Sequence, residues 1–265
     1  VDRPVSTVRR WSMLGIGLFA TLCANVFING VAFMIPSLHT EYGLSLARAG
    51  LIAAMPSFGA VLTLILWGYI VDRVGERRVL ALGSALTAAA AGAAAMSHSL
   101  VSTSVFLVLG GMAAASSNSA SGRLVVGWFE PQQRGLAMGI RQTAQPLGVG
   151  VGALVIPGLA QNHGLAAALW FPAIVCAVAA AVCAVAVQDP PRPARHEAPV
   201  EQLANPYRGS TLLVRIHIVS LLLALITAAQ VLAALGRVAV GRWSDRAGSR
   251  LQPIRLIGAA AVAAM

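Results

Sequence analysis

Lysine is absent from the 265 residues, and nine acidic residues stand against nineteen arginines. Charged side chains make up 11% of the chain, less than half of the roughly 25% found in soluble domains. With 57% hydrophobic residues and a mean hydropathy of +0.76, this excludes a chain for which water is the main solvent. Cysteine is scarce: Cys23, Cys176 and Cys183 all lie inside apolar runs, where they read as small packed hydrophobes and not as a disulfide set. The histidines His39, His98, His163, His196 and His217 form no metal-spaced pair and have no acidic companions, so neither a metal nor a membrane-embedded enzyme is expected. No Walker A motif is present, which argues against an ATP-driven pump unless a separate subunit hydrolyses ATP. No cofactor is implied. A net charge of +10 can mark nucleic-acid binding, but here the arginines cluster between long apolar runs, the pattern of a lipid bilayer partner.

What is present is a series of apolar runs, at 11–35, 49–71, 79–97, 101–129, 134–159, 164–187, 216–240 and 254–265. A span needs about 20 such residues. In hydrocarbon a span must satisfy its own backbone, so each run is expected to be a helix. The fold class is therefore all-α, a polytopic transmembrane helix bundle. The first run is long enough to span and lacks a small-residue cleavage site, so no cleavable leader is expected. Arg3, Arg9 and Arg10, then Arg73, Arg77 and Arg78, then Arg134, then Arg192, Arg195 and Arg208 all fall on one side of the first six spans. That side is cytoplasmic by the positive-inside rule. The Ala-rich, lysine-free composition suggests a high-GC bacterial genome, hence a bacterial cytoplasmic (inner) membrane with the N-terminus inside.

Residues 188–213 carry Pro190, Pro191, Pro193, Pro199 and Pro206 and read as a cytoplasmic linker. The expected organisation is a six-helix half at 1–187, the linker, and a partial second half at 214–265. Only one apolar run separates the linker from the next cluster, Arg242, Arg246 and Arg250. A single crossing would put that cluster on the wrong side. The expectation is that a helix is missing around residues 216–241 and that the second half is truncated.

Two segments share the pattern G-x-x-x-D-R-x-G-x-R. One runs Gly68-Tyr69-Ile70-Val71-Asp72-Arg73-Val74-Gly75-Glu76-Arg77-Arg78; the other runs from Gly241 through Asp245, Arg246 and Gly248 to Arg250. Each follows one apolar run and precedes another, and they lie on either side of the linker, as an internal repeat of parallel halves would place them. The first glycine is expected to let two backbones approach, and the second to permit a tight turn. The aspartate can pair with an arginine or accept hydrogen bonds from a helix N-terminus. The motif resembles the signature loop of the major facilitator superfamily, found after the second helix and echoed after the eighth. The resemblance implies two pseudo-symmetric halves, and a gating latch on the cytoplasmic side involving Asp72 and Arg73. Glu76 departs from the family pattern, which has a basic residue there. In the next cytoplasmic loop Glu130 and Arg134, followed by Gly135, are either a solvated loop or members of the same charge network.

Ionisable groups inside membrane spans are functional candidates. No carboxylate lies deep in a span, which gives proton coupling no support here, although a proton or other coupling ion stays open as a partner. Arg123 and Arg141 each lie about 10 Å from a helix end, where they either snorkel or serve a site. Arg141, Gln145, Gly148 and Gly152 share one helix face. The two glycines either serve close packing or echo part of the family's antiporter motif. Thr21, Asn25 and Asn29 share a face of the first span, for interhelical hydrogen bonds or for solute. The candidate solute-binding set is Asn25, Asn29, Arg123, Arg141 and Gln145. The expected function is transport of a small solute, anionic or strongly hydrogen-bonding, by alternating access. Drug/proton antiport and a non-transporting or nonfunctional truncated membrane protein are the alternatives.

Overall fold

The computed structural model describes residues 6–190. The chain divides into two compact units, Val1–Arg192 and Pro193–Met265, and the described residues belong to the first. The second motif copy (Gly241, Asp245, Arg246, Gly248 and Arg250), nearly all of the linker and the partial second half lie outside the described residues.

Every described element is helical. The helices are α1 (Thr7–Gly30), a 3-10 turn (Val31–Met34), α2 (Ile35–Thr40), α3 (Leu46–Val74), α4 (Glu76–Ala95), α5 (Leu100–Trp128), α6 (Arg134–Gln142) and α7 (Ala144–Ala186). Five continuous helical stretches are long and apolar enough to cross a membrane, the last being Arg134–Ala186. This last stretch makes two crossings. Within α7 the backbone leaves helical geometry at Gly164, where φ is 80°, a conformation that glycine adopts without strain. Packing requires the chain to turn back there. A Cβ on Gly148 would stand 2.6 Å from the Leu22 carbonyl, and Cys176 Sγ lies 3.5 Å from the Cys23 carbonyl. In a straight helix Gly148 and Cys176 would be about 42 Å apart; here both meet the same turn of α1. The five stretches thus comprise six helical segments among the described residues.

The bundle has two ends of different chemistry. One gathers the start of α1, the α3–α4 turn, the α5–α6 turn and the end of α7, with Arg9, Arg10, Arg73, Arg77, Arg78, Arg123 and Arg134. The other carries the α2–α3 and α4–α5 turns and Gly164, with Arg48 as its arginine. Between them the interior is packed with small and aliphatic side chains around Phe27, Leu80, Leu107 and Leu124. The outer surface is apolar too: Val61, Ile65, Leu154 and Val185 are more than three-quarters exposed, as lipid-facing side chains are. Backbones approach closely where glycine permits. A Cβ on Gly59 would run into the Val108 carbonyl, and one on Gly111 into that of Pro56.

Candidate functional site

The first motif copy forms the turn between α3 and α4. Gly75 ends α3 with φ of 102°, which an L side chain rarely adopts, so its role as the turn glycine holds. Gly68 behaves otherwise than expected. Nothing among the described residues stands within 4 Å of a Cβ built on it, so within this unit it makes no close backbone contact. Asp72, in the last turn of α3, forms an ion pair with Arg123 of α5 at 2.7 Å, both side chains about half exposed. The structure therefore brings Arg123 to the motif at the arginine-rich end, whereas sequence reading grouped it with the solute-binding candidates. Arg73 lies over the ring of Tyr69, 4.3 Å from its centroid, a cation–π contact one helical turn back.

The other charges of this end serve helix termini. Glu76 is buried in the first turn of α4, where the helix dipole favours a carboxylate. Arg134 donates through Nε to the Phe129 carbonyl and through Nη2 to that of Val126, both at 3.0 Å, so its guanidinium closes the C-terminal end of α5. Glu130 is exposed, and its carbonyl accepts from the amides of Gln133 and Arg134. The Arg77 guanidinium donates to the Ala184 carbonyl, and its backbone amide donates to Asp189 Oδ1 at 2.8 Å. Sequence reading missed Asp189, whose only signal was an acidic residue at the head of a proline-rich stretch.

The second site is a polar track through the interior. Arg141 is 9% exposed. Its Nε donates to Ser121 Oγ at 2.9 Å, Nη2 to the Asn118 carbonyl at 2.7 Å and Nη1 to Gln142 Oε1 at 3.0 Å. Asn118 precedes the end of α5 by about 15 Å of helix. The guanidinium thus reaches toward the middle of the bundle, opposite to the direction in which a side chain snorkels. Its partners among the described residues are all neutral. Ser121 also accepts from Thr21 Oγ1 at 3.0 Å. Asn25 donates to the Thr21 carbonyl, and Asn29 to that of Asn25. Arg141, Ser121 and the Thr21–Asn25–Asn29 face of α1 therefore form one hydrogen-bonded track across three helices.

The remaining candidates divide. Gln145 is exposed, as is Gln142, and Asn118 is partly so; Gln142 and Asn118 border the buried guanidinium. Asn25 is buried against α7, its Cβ 2.8 Å from where a Cβ on Gly148 would stand. A Cβ on Gly152 would lie 3.4 Å from the Phe33 ring. Gly148 thus seats α7 on α1 and Gly152 faces the 3-10 turn that follows it, so both make packing contacts.

Comparison with known proteins agrees with this architecture. Residues 17–231 match the family model of the Major Facilitator Superfamily. An uncharacterized MFS-type transporter of Mycobacterium tuberculosis is 53% identical over 289 aligned positions, covering 99% of this chain and 65% of that protein. The chain thus spans about two thirds of the length of that relative. An alignment of 289 positions on 265 residues leaves at least 24 positions where this chain has no residue. Two transporters of Bacillus subtilis also match: the hexuronate transporter at 27% identity, over 45% of this chain and 28% of that one, and the glycerol-3-phosphate transporter at 28%, over 72% and 44%. Among solved structures, an inward-facing, unoccupied bacterial homolog of the human lysosomal transporter Spinster superposes with a TM-score of 0.62 at 16% identity, covering 76% of this chain and 48% of that one.

Proposed function

Because the chain belongs to the major facilitator superfamily, a family of membrane transporters and not of enzymes, we propose that it carries a small organic anion across the bacterial cytoplasmic membrane by alternating access. One observation carries the anion reading. A buried guanidinium is directed toward the middle of the bundle, and every described partner of it is neutral. An arginine withdrawn from water and left without a counter-charge costs several kcal/mol, roughly. A bound carboxylate or phosphate offsets that cost and matches the planar fork of donors. Exposed Gln142 beside it supplies hydrogen bonds to the rest of the solute, with Asn29 further along the track. The hexuronate and glycerol-3-phosphate named in two relatives are both small organic anions, which supports the same class. Asp72 and Arg123 form the gate at the arginine-rich end, which faces the cytoplasm.

The test is uptake into proteoliposomes of radiolabelled glycerol 3-phosphate, glucuronate and tartrate, with glycerol and a quaternary amine as uncharged and cationic controls. At least one anion is carried, and neither control is. Arg141→Gln lowers anion uptake at least about tenfold, the scale of one lost charge-assisted pair. Arg141→Lys keeps the charge but loses the fork and falls between. Equal uptake by both variants and the parent, or a carrier that takes only the neutral or cationic probe, overturns the proposal.

A further inference from the structure

The residues that leave the last crossing do not simply run off the end of α7. Val187 is fully buried. The Gln188 amide donates to Met13 Sδ of α1 at 3.3 Å, and the Gln188 carbonyl accepts from Trp128 Nε1 of α5 at 3.2 Å. Pro190 lies over Gly127, where a Cβ would meet its ring at 2.5 Å. Between them Asp189 reaches the α3–α4 turn. Its Oδ1 accepts from the Arg77 amide at 2.8 Å, satisfying one of the donors that the first turn of α4 leaves without an intrahelical partner. Gly75 makes room for it, since a Cβ there would stand 2.7 Å from Asp189 Oδ2. The Arg77 side chain returns the contact by donating to the Ala184 carbonyl. Four residues thus stitch the ends of α1, α4 and α5 together, with one carboxylate as the attachment to the motif turn.

We infer that Asp189 is a positioning residue of the gate: it caps α4 from the connector and so fixes the turn that presents Asp72 to Arg123. The second glycine of the motif then has two duties. It adopts the positive φ of the turn, and its missing side chain is the seat of this carboxylate. The inference rests on the gating role given to Asp72 and Arg123 above, but it is tested without any substrate. Val187→Cys places a thiol in the buried segment, and Cys23, Cys176 and Cys183 are themselves buried, so background labelling is low.

In membranes containing the full chain, the rate of maleimide labelling at that thiol is measured with fluorescein maleimide. Asp189→Ala speeds labelling about tenfold or more, the effect of losing a charge-assisted bond of about 1.5 kcal/mol. Asp189→Asn keeps an acceptor for the Arg77 amide and stays within about twofold of the parent. Gly75→Ala displaces the carboxylate and also strains the turn at its positive φ, so it speeds labelling at least as much as Asp189→Ala. Labelling unchanged by Asp189→Ala, or raised equally by Asp189→Asn, overturns the inference; the asparagine variant guards against a general packing defect. For whichever anion of the uptake panel is carried, Asp189→Ala lowers the maximal rate with KM within about twofold, because the residue lies away from the polar track. A change in KM alone also overturns it.

Discussion

An ion pair whose two side chains are each about half exposed adds little to stability. Exposed pairs of this kind contribute roughly 0.2–1 kcal/mol. The same energy has more influence on an equilibrium between two conformations, where ~1 kcal/mol shifts the populations about fivefold. Asp72→Asn keeps the shape of the side chain and removes its charge. It should therefore leave the amount of protein in the membrane within about twofold while lowering uptake several-fold, measured as uptake per immunodetected carrier. Undiminished uptake would reduce the motif to an ordinary basic turn. The identity of the partner was not legible in the sequence. Asp72 and Arg123 sit in different helices, and only the register of α3 against α5 brings them together. Arg141 was legible as a candidate because it shares a helix face with Gln145, but its inward direction depends on Ser121 and Asn118 of a neighbouring helix. Asp189 was illegible for a related reason. It caps the N-terminus of α4, which lies far from it in sequence, so no local pattern marks it.

At the scale of the helix, hydropathy located the apolar stretches, and the polar interruption at Asn162 and His163 foreshadowed the reversal at Gly164. The sequence could not say which glycines touch a neighbour. Gly68, in the motif, touches nothing described, whereas Gly59 and Gly111, outside any motif, bring α3 and α5 into backbone contact. Helix rotation decides this, and rotation is set by the partner's surface. The α3–α5 contact is reinforced by polar groups. The Met112 carbonyl accepts from Thr63 Oγ1 at 2.7 Å and from Trp67 Nε1 at 2.6 Å. Ser116, one turn later, would ordinarily bond back to that carbonyl. With the acceptor occupied and Gly83 pressed against it, the Ser116 hydroxyl has no hydrogen-bond partner among the described residues. Adding a methyl at this seam should be costly. Gly111→Ala would drive a Cβ into the Pro56 carbonyl and cost about 1–3 kcal/mol as overpacking. Gly135→Ala, at a helical position with nothing within 4 Å, should gain up to about 1 kcal/mol from helix propensity. Thermal unfolding in detergent should order the variants as Gly135→Ala, parent, Gly111→Ala. A Gly111→Ala protein as stable as the parent would mean that the seam opens without strain.

For the molecule as a whole, the division of arginine between the two ends sets the sidedness. Seven arginines lie at the end holding the α3–α4 and α5–α6 turns, and Arg48 at the other. Arginine near a span is retained on the cytoplasmic side, so the start of α1, the motif turn and the end of α7 should share that side. Sidedness can be measured with single thiols, since the native cysteines are buried. Ser6→Cys and Arg78→Cys, at exposed positions of the arginine-rich end, should resist an impermeant thiol reagent in intact cells and react in inverted vesicles. Glu41→Cys and His98→Cys, exposed at the other end, should show the opposite pattern. Reaction of Arg78→Cys from outside intact cells would invert the whole bundle and place the Asp72–Arg123 pair at the external face.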